Sequence, residues 1–286
     1  MHVRKSFIGA AAALAIIPGT ALAANIQGGP GNENLRGTNA PDHIDGNAGN
    51  DRIHGFAGDD VLIGGQGNDR VFGGRGNDTL HGVQGNDWLN GGAGDDTVIG
   101  DGNGVGDLTS FDRIFGGSGN DKLYGGDSRD RMSGGPGDDM SWGQNGNDRM
   151  NGGTGNDVQY GGAGNDTIFA NVGNDVSYGE DGNDTLWALA RSDVQPGPNG
   201  EVDTNGDRLD GGNGDDTFRT RDGEVDVITC GPGNDTALLD TVDVISDATG
   251  PNPNGSCEKV IRKQPRPKDS KAEDAQQAPK DAQVQN

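Results

Sequence analysis

The sequence predicts an all-β fold, a solenoid in which short turns and short strands alternate, and three observations predict it. The pattern Gly-Gly-x-Gly-Asn-Asp-x-aliphatic-x, as in Gly64-Gly65-Gln66-Gly67-Asn68-Asp69-Arg70-Val71-Phe72, recurs every nine residues along most of the chain. An acidic residue holds the sixth position of every copy in two unbroken blocks, and aliphatic residues dominate the eighth. Nine residues cannot enclose a core, so each copy must be covered by the next, and only several together bury anything.

Within one copy the turn comes first. Glycine at positions 1 and 4 permits positive φ and close backbone approach, Asn or Asp at position 5 tolerates the left-handed region, and Asp at position 6 ends the turn with a carboxylate. Three residues remain for a strand. Side chains alternate along a strand, so position 8 points inward while 7 and 9, mostly polar in the first block, point out.

Residues 1–23 read differently. Arg4 and Lys5 precede an apolar run from Phe7 to Ile17, and Ala21-Leu22-Ala23 supplies the small-x-small end of a cleavable secretory signal, which puts the mature start at Ala24. The apolar run is too short for a membrane span.

Two blocks follow. Gly28 to Ile99 holds eight nonapeptides whose sixth positions are Glu33, Asp42, Asp51, Asp60, Asp69, Asp78, Asp87 and Asp96. Gly116 to Trp187 holds eight more, with Asp121, Asp130, Asp139, Asp148, Asp157, Asp166, Asp175 and Asp184. A last clear copy, Gly211 to Arg219, carries Asp216. With 29% hydrophobic residues and 55 glycines the composition resembles that of a disordered polymer. The fixed phase of the carboxylates argues against that. The leader takes two of the 22 basic residues and residues 258–286 take seven basic and five acidic, leaving 13 basic against 40 acidic between them, a net of −27. Nucleic acid and anionic membranes suit such a surface poorly, and cations suit it well.

These repeats are similar to the RTX, or haemolysin-type, calcium-binding nonapeptides. The resemblance implies a parallel β-roll spanning residues 24–229, with two nonapeptides per coil and multiple Ca²⁺ ions held between successive turns on the same edge by position-6 carboxylates and backbone carbonyls. Elementary electrostatics points to the same ion. Stacked strands lie about 4.8 Å apart, and at an effective dielectric near 20 two carboxylates at that spacing repel by roughly 3 to 4 kcal/mol. Hard oxygen donors favour Ca²⁺, whereas Zn²⁺ would draw on His and Cys. Three gaps per edge in each block make about a dozen sites.

Some turns depart from the pattern. Ala40-Pro41 precedes Asp42, Ser128-Arg129 precedes Asp130, Ala170-Asn171 replaces the glycine pair before Asp175, and Glu33 is longer than Asp. Insertions occupy residues 100–115 and 188–210. Asp112-Arg113-Ile114-Phe115 recovers the repeat phase, so the first insertion loops out as part of one turn. Asp203-Thr204-Asn205-Gly206-Asp207 opens like an EF-hand, but Arg208 stands where its Gly is needed and Gly214 where its bidentate Glu should be.

In the second block position 8 becomes Ser141, Gln159 and Ser177, followed by Trp142, Tyr160 and Tyr178, with Tyr124 earlier in the same series. The spacing of 18 stacks these four aromatics on one sheet, facing out, after Ile63, His81 and Ile99. Such a ladder is either a contact surface for a cell-surface or polysaccharide ligand or ordinary cross-strand stabilisation. A flipped strand would instead bury Tyr160.

Past residue 219 the rhythm loosens. Cys230 and Cys257, the chain's two cysteines, suggest a disulfide in an exported protein, tying residues 230–261 into a cap over the open end. A zinc pair would lack further ligands. Residues 262–286 have a disordered composition. No catalytic motif is present: His43, His54 and His81 lack triad or metal-ligand spacing. The expectation is a secreted, extracellular, non-enzymatic calcium-binding repeat protein of structural or adhesive role. A calcium-dependent polysaccharide-acting enzyme is the alternative.

Overall fold

A computed structural model describes residues 22–101, 110–188, 206–246, 248 and 255–263. Its twenty-four strands form two parallel sheets of twelve, and no helix occurs among the described residues. Consecutive strands alternate between sheets: Asn25–Gln27, His43–Asp45 and Val61–Gln66 open the first, Asn34–Arg36, Arg52–Ala57 and Arg70–Arg75 the second. Two repeats therefore make one coil, and partners across a sheet are 18 apart, as in Ile44, Leu62 and Leu80. This is the parallel β-roll.

Most strands run six residues rather than the expected three. The glycine pair and the residue after it stay in the ladder, so Gly74 pairs with Gly92 and Arg75 with Ala93. Three-residue strands occur towards both ends, among them Asn25–Gln27 and Val227–Thr229. Across the first insertion Val98 pairs with Leu123, and across the second Ser177 pairs with Leu209. The inserted residues thus leave the register intact. The second insertion ends earlier than the sequence suggested, because Arg208–Asp210 is already a strand of the first sheet. Residues 102–109 and 189–205, including most of the EF-hand-like stretch, lie outside the described residues.

The core is two columns of position-8 side chains, Ile44, Leu62, Leu80 and Val98 facing Ile53, Val71, Leu89 and Ile114, all with no exposed surface. In the second block Ser141, Gln159 and Ser177 also point inward, so these strands do not flip, and Tyr160 stays outside, half-buried. Gln159 is satisfied there when its nitrogen donates to the Phe169 carbonyl (3.1 Å) and Ser177 Oγ (3.2 Å) and its oxygen accepts from Gly152 N–H (3.0 Å). A buried amide so paired carries little penalty.

Cys230 and Cys257 form a disulfide. The described residues of the expected cap, 230–261, extend the roll: Thr236–Leu239, Val244–Ile245 and Lys259–Arg262 continue both sheets, and Ala237, Leu239 and Ile245 share one core cluster with Leu209 and Phe218. The reason is local. Asp235-Thr236-Ala237 and Asp243-Val244-Ile245 keep the Asp-x-apolar phase, the first with Cys230 in place of the first glycine and the second without turn glycines. Residues 1–21 of the expected leader, and residues 264–286 of the expected tail, lie outside the described residues.

Candidate metal centres at the stacked turns

Most turns from Gly46 onward are shaped by two positions of positive φ, Gly65 (111°) and Gly67 (124°) in the repeat at Gly64, whereas the turns at Gly28 and Gly37 have none. These are positions 2 and 4. No Asn or Asp at position 5 adopts positive φ, contrary to the sequence reading. The position-5 side chain is used instead to join coils: Asn68 Oδ1 accepts the N–H of Asn86 at 2.7 Å, while the N–H of Asn68 is donated to Asn50 Oδ1 at 2.8 Å.

Position 6 makes the reciprocal ladder. The N–H of Asp51 is donated to Asp69 Oδ1, and that of Asp69 to Asp87 Oδ1, both at 2.7 Å. Repeated coil after coil, this bond runs along both edges. One ladder starts at the N–H of Ala24 and proceeds through Asp42, Asp60, Asp78, Asp96, Asp121, Asp139, Asp157, Asp175, Asp207, Asp226 and Asp243. The other starts at Glu33 and proceeds through Asp51, Asp69, Asp87, Asp112, Asp130, Asp148, Asp166, Asp184, Asp216, Asp235 and Glu258. Every predicted carboxylate is a rung. Asp112, Asp207, Asp226, Asp235, Asp243 and Glu258 are rungs that the sequence assignment left out. The signal was present in Asp207-Arg208-Leu209 and Asp226-Val227-Ile228, hidden because no glycine pair precedes them.

The second carboxylate oxygen is left over. Oδ2 of Asp60, Asp69, Asp78, Asp96, Asp139 and Asp148, among others, is buried without a hydrogen-bond partner. It faces a cradle that glycine keeps open: a Cβ on Gly64 would lie 2.5 Å from Asp69 Oδ2 and 2.9 Å from the Gly82 carbonyl of the next coil. On Gly125 it would lie 2.8 Å from Asp130 Oδ2 and 2.7 Å from the Gly143 carbonyl. Carboxylate oxygen and backbone carbonyl thus converge in one hollow per turn. Asp42 is different, since Thr38 donates both its N–H and its hydroxyl to that carboxylate.

Burial drives these carboxyls up from their ordinary value, and neighbouring carboxylates add to the shift, to about 7 for Asp60, 8 for Asp96 and Asp139, and 9 for Asp112. Ionised and alone they are strained. Among the described residues no three His, Cys, Asp or Glu side chains converge on one point, so a cation here draws on few side chains and on glycine carbonyls. That is an all-oxygen donor set, suited to a hard ion with flexible geometry.

A profile of the RTX calcium-binding nonapeptide repeat matches residues 27–55, 57–80, 72–103, 109–140, 142–177, 155–186 and 203–237, well over half of the chain. The chain belongs to the RTX calcium-binding repeat family. No curated protein matches it significantly along its sequence. The RTX ion fits the residues present, because the orphaned Oδ2 atoms and glycine carbonyls are what Ca²⁺ would take up. When bound, Ca²⁺ supplies the positive charge that lets those carboxylates ionise while buried.

On the first sheet of this RTX roll the predicted aromatics do stack. Ring centroids of Tyr124 and Trp142 are 4.7 Å apart, Trp142 and Tyr160 5.9 Å, Tyr160 and Tyr178 4.9 Å, with planes within 9° of parallel. Ile63, His81 and Ile99 precede them in register. Beside the ladder an open groove of about 530 Å³ is lined by Trp142, Tyr160, Gln144, Asn145, Glu180 and Asn213, among others.

Proposed function

We propose that the chain is an exported calcium-binding roll that folds when Ca²⁺ fills the gaps between its turns, and that it serves outside the cell as a structural or adhesive element. The observation that carries this is the repeated buried Oδ2 without a partner, sharing a hollow beside a turn glycine with a backbone carbonyl of the next coil on both edges. A buried carboxylate oxygen left unpaired costs several kcal/mol unless a cation meets it. Extracellular calcium modules fill at about 10⁻⁴ to 10⁻³ M, so the low calcium of a cytosol would leave the chain unfolded before export. The secretory leader expected at residues 1–23 agrees with the ladder's start at Ala24, the expected first residue after cleavage.

Circular dichroism of residues 24–286 during calcium titration tests this reading. Coil-like spectra in chelator and a cooperative gain of β-structure with calcium are expected, and an unchanged spectrum would reject it. The adhesive role rests on the ring ladder and its groove of amides and carboxylates, Glu180 and Asp181 among them, which suit the hydroxyls of a neutral glycan. Changing Trp142 and Tyr160 to Ser should abolish retention on cell walls or polysaccharide, and product formation without retention would favour the enzymatic alternative.

A further inference from the structure

The acidic character of the chain conceals a division between its two sheets. From Arg52–Ala57 to Thr167–Val172 the strands of the second sheet hold six arginines and no carboxylate. Over Val61–Gln66 to Val176–Asp181 the first sheet holds no arginine, one lysine and four carboxylates. Five of the six arginines fall in one outward row: Arg52 pairs with Arg70, Arg70 with Trp88, Trp88 with Arg113, Arg113 with Arg131 and Arg131 with Arg149. At a strand spacing of about 4.8 Å the row spans about 24 Å. Like charges directly opposite on adjacent strands are destabilising, and burial together with Arg131 and Arg129 pushes the Arg149 guanidinium below its ordinary value.

The row is set against aromatic rings. Arg52 lies over Phe72 (5.2 Å), Arg113 and Arg131 both over Phe111 (5.3 and 5.4 Å), and Arg149 over Phe169 (4.4 Å). A guanidinium lying over a ring keeps its N–H fork in its own plane, where it can grip a carboxylate or sulfate. Arg113, Arg131 and Arg149 share a cleft with Phe115, Ser133 and Asn151, whose hydroxyl and amide add neutral donors.

We propose that this outer face of the second sheet docks a linear acidic polysaccharide, gripped by the row Arg52, Arg70, Arg113, Arg131 and Arg149. One sugar of an extended glycan is about as long as one strand spacing, so a polymer with an anionic group on each sugar matches the row, in which five of six successive coils carry an arginine and Trp88 fills the sixth place. Duplex nucleic acid, with a charge every 1.7 Å or so of its axis, does not match that pitch. A second copy of this chain is a poor occupant too. The outward rows of its first sheet, Val61, Thr79, Thr97 and Lys122 beside Ile63, His81, Ile99 and Tyr124, are neutral or basic. Its unburied carboxylates over Val61–Gln66 to Val176–Asp181, namely Asp127, Glu180 and Asp181, fall in two strands rather than one per coil. The ring ladder lies on the other sheet and is independent of this one.

Calcium-loaded protein binding to immobilised dextran sulfate, against neutral dextran, tests the proposal. Binding is expected to the sulfated polymer alone, weakening with salt. Arg113→Gln, Arg131→Gln and Arg149→Gln together should weaken it at least tenfold, while Trp142→Ser with Tyr160→Ser leaves it unchanged. A control that removes the same charge elsewhere, Lys122→Gln, Arg208→Gln and Lys259→Gln, should retain most of the binding. Calcium-titrated circular dichroism verifies that each variant folds. Equal loss in the control, full retention in the row variant, equal competition by duplex DNA, or self-association that the row variant abolishes would overturn it.

Discussion

At the scale of the residue, one aspartate does two jobs with its two oxygens. Asp69 Oδ1 takes the N–H of Asp51, a structural bond, while Oδ2 is left for a cation. Asp69→Asn, with its amide oxygen in the Oδ1 place, should therefore keep the ladder but lower the calcium stoichiometry by about one ion in isothermal titration. Asp69→Ala should lose the ion and in addition strand the Asp51 N–H, costing a further 1–3 kcal/mol or so in the calcium-loaded state, read from chemical denaturation. The same burial that orphans Oδ2 makes the ion-free roll sensitive to pH. Asp69, Asp60 and Asp87 titrate at about 6, 7 and 8 when folded, against an ordinary 3.8. Raised values mean that the fold holds protons which the unfolded chain releases, so stability present below about pH 4 is lost as pH rises through 6 to 8. In chelator, β-structure by circular dichroism should be greatest in acid and absent near pH 8. With excess calcium the order should reverse, since protons then compete with the ion.

At the scale of the element, a turn is a hollow that one glycine keeps open. Gly64→Ala would press a methyl against Asp69 Oδ2 and the Gly82 carbonyl. A destabilisation of about 1–3 kcal/mol is expected, with the calcium midpoint moved to higher concentration. Because coils touch only their neighbours, hydrogen exchange should rise there and not at the far end. The last coils depend on another device. The bond between Cys230 and Cys257 closes 27 residues, worth roughly 3 to 4 kcal/mol by loop entropy. Cys257→Ser should speed exchange in Thr236–Leu239 and Lys259–Arg262 while sparing the strands around Leu80. The turns were legible from their glycines, yet their conformation was only half read: positions 2 and 4 carry the unusual φ, and position 5 was needed for its side chain. Six-residue strands escaped prediction because a glycine pair looks like turn, although backbone pairing asks nothing of a side chain.

At the scale of the whole molecule, the roll is a stack of equal coils with charge distributed by edge and by face. The period of nine, the fixed acid and the aliphatic two places later determined by themselves that the chain would wind in stacked units and that the aromatics of the second block would fall at one phase. These are properties of spacing, and spacing survives in one dimension. Two repeats per coil came from the family resemblance, and that the rings face out was decided by the fold. The insertions hid more. Asp112, Asp207, Asp226 and Asp243 became rungs only when the sheets bridged the interruptions in register, because a parallel ladder aligns backbone partners and ignores how much chain loops out between them. The arginine row is likewise a product of stacking: positions 18 and 25 apart in sequence become neighbours about 4.8 Å apart on one sheet, while the carboxylates that dominate the composition turn inward at the edges. Net charge told of an acidic polymer, and only the alternation of strands between two sheets decided that one face of it is basic.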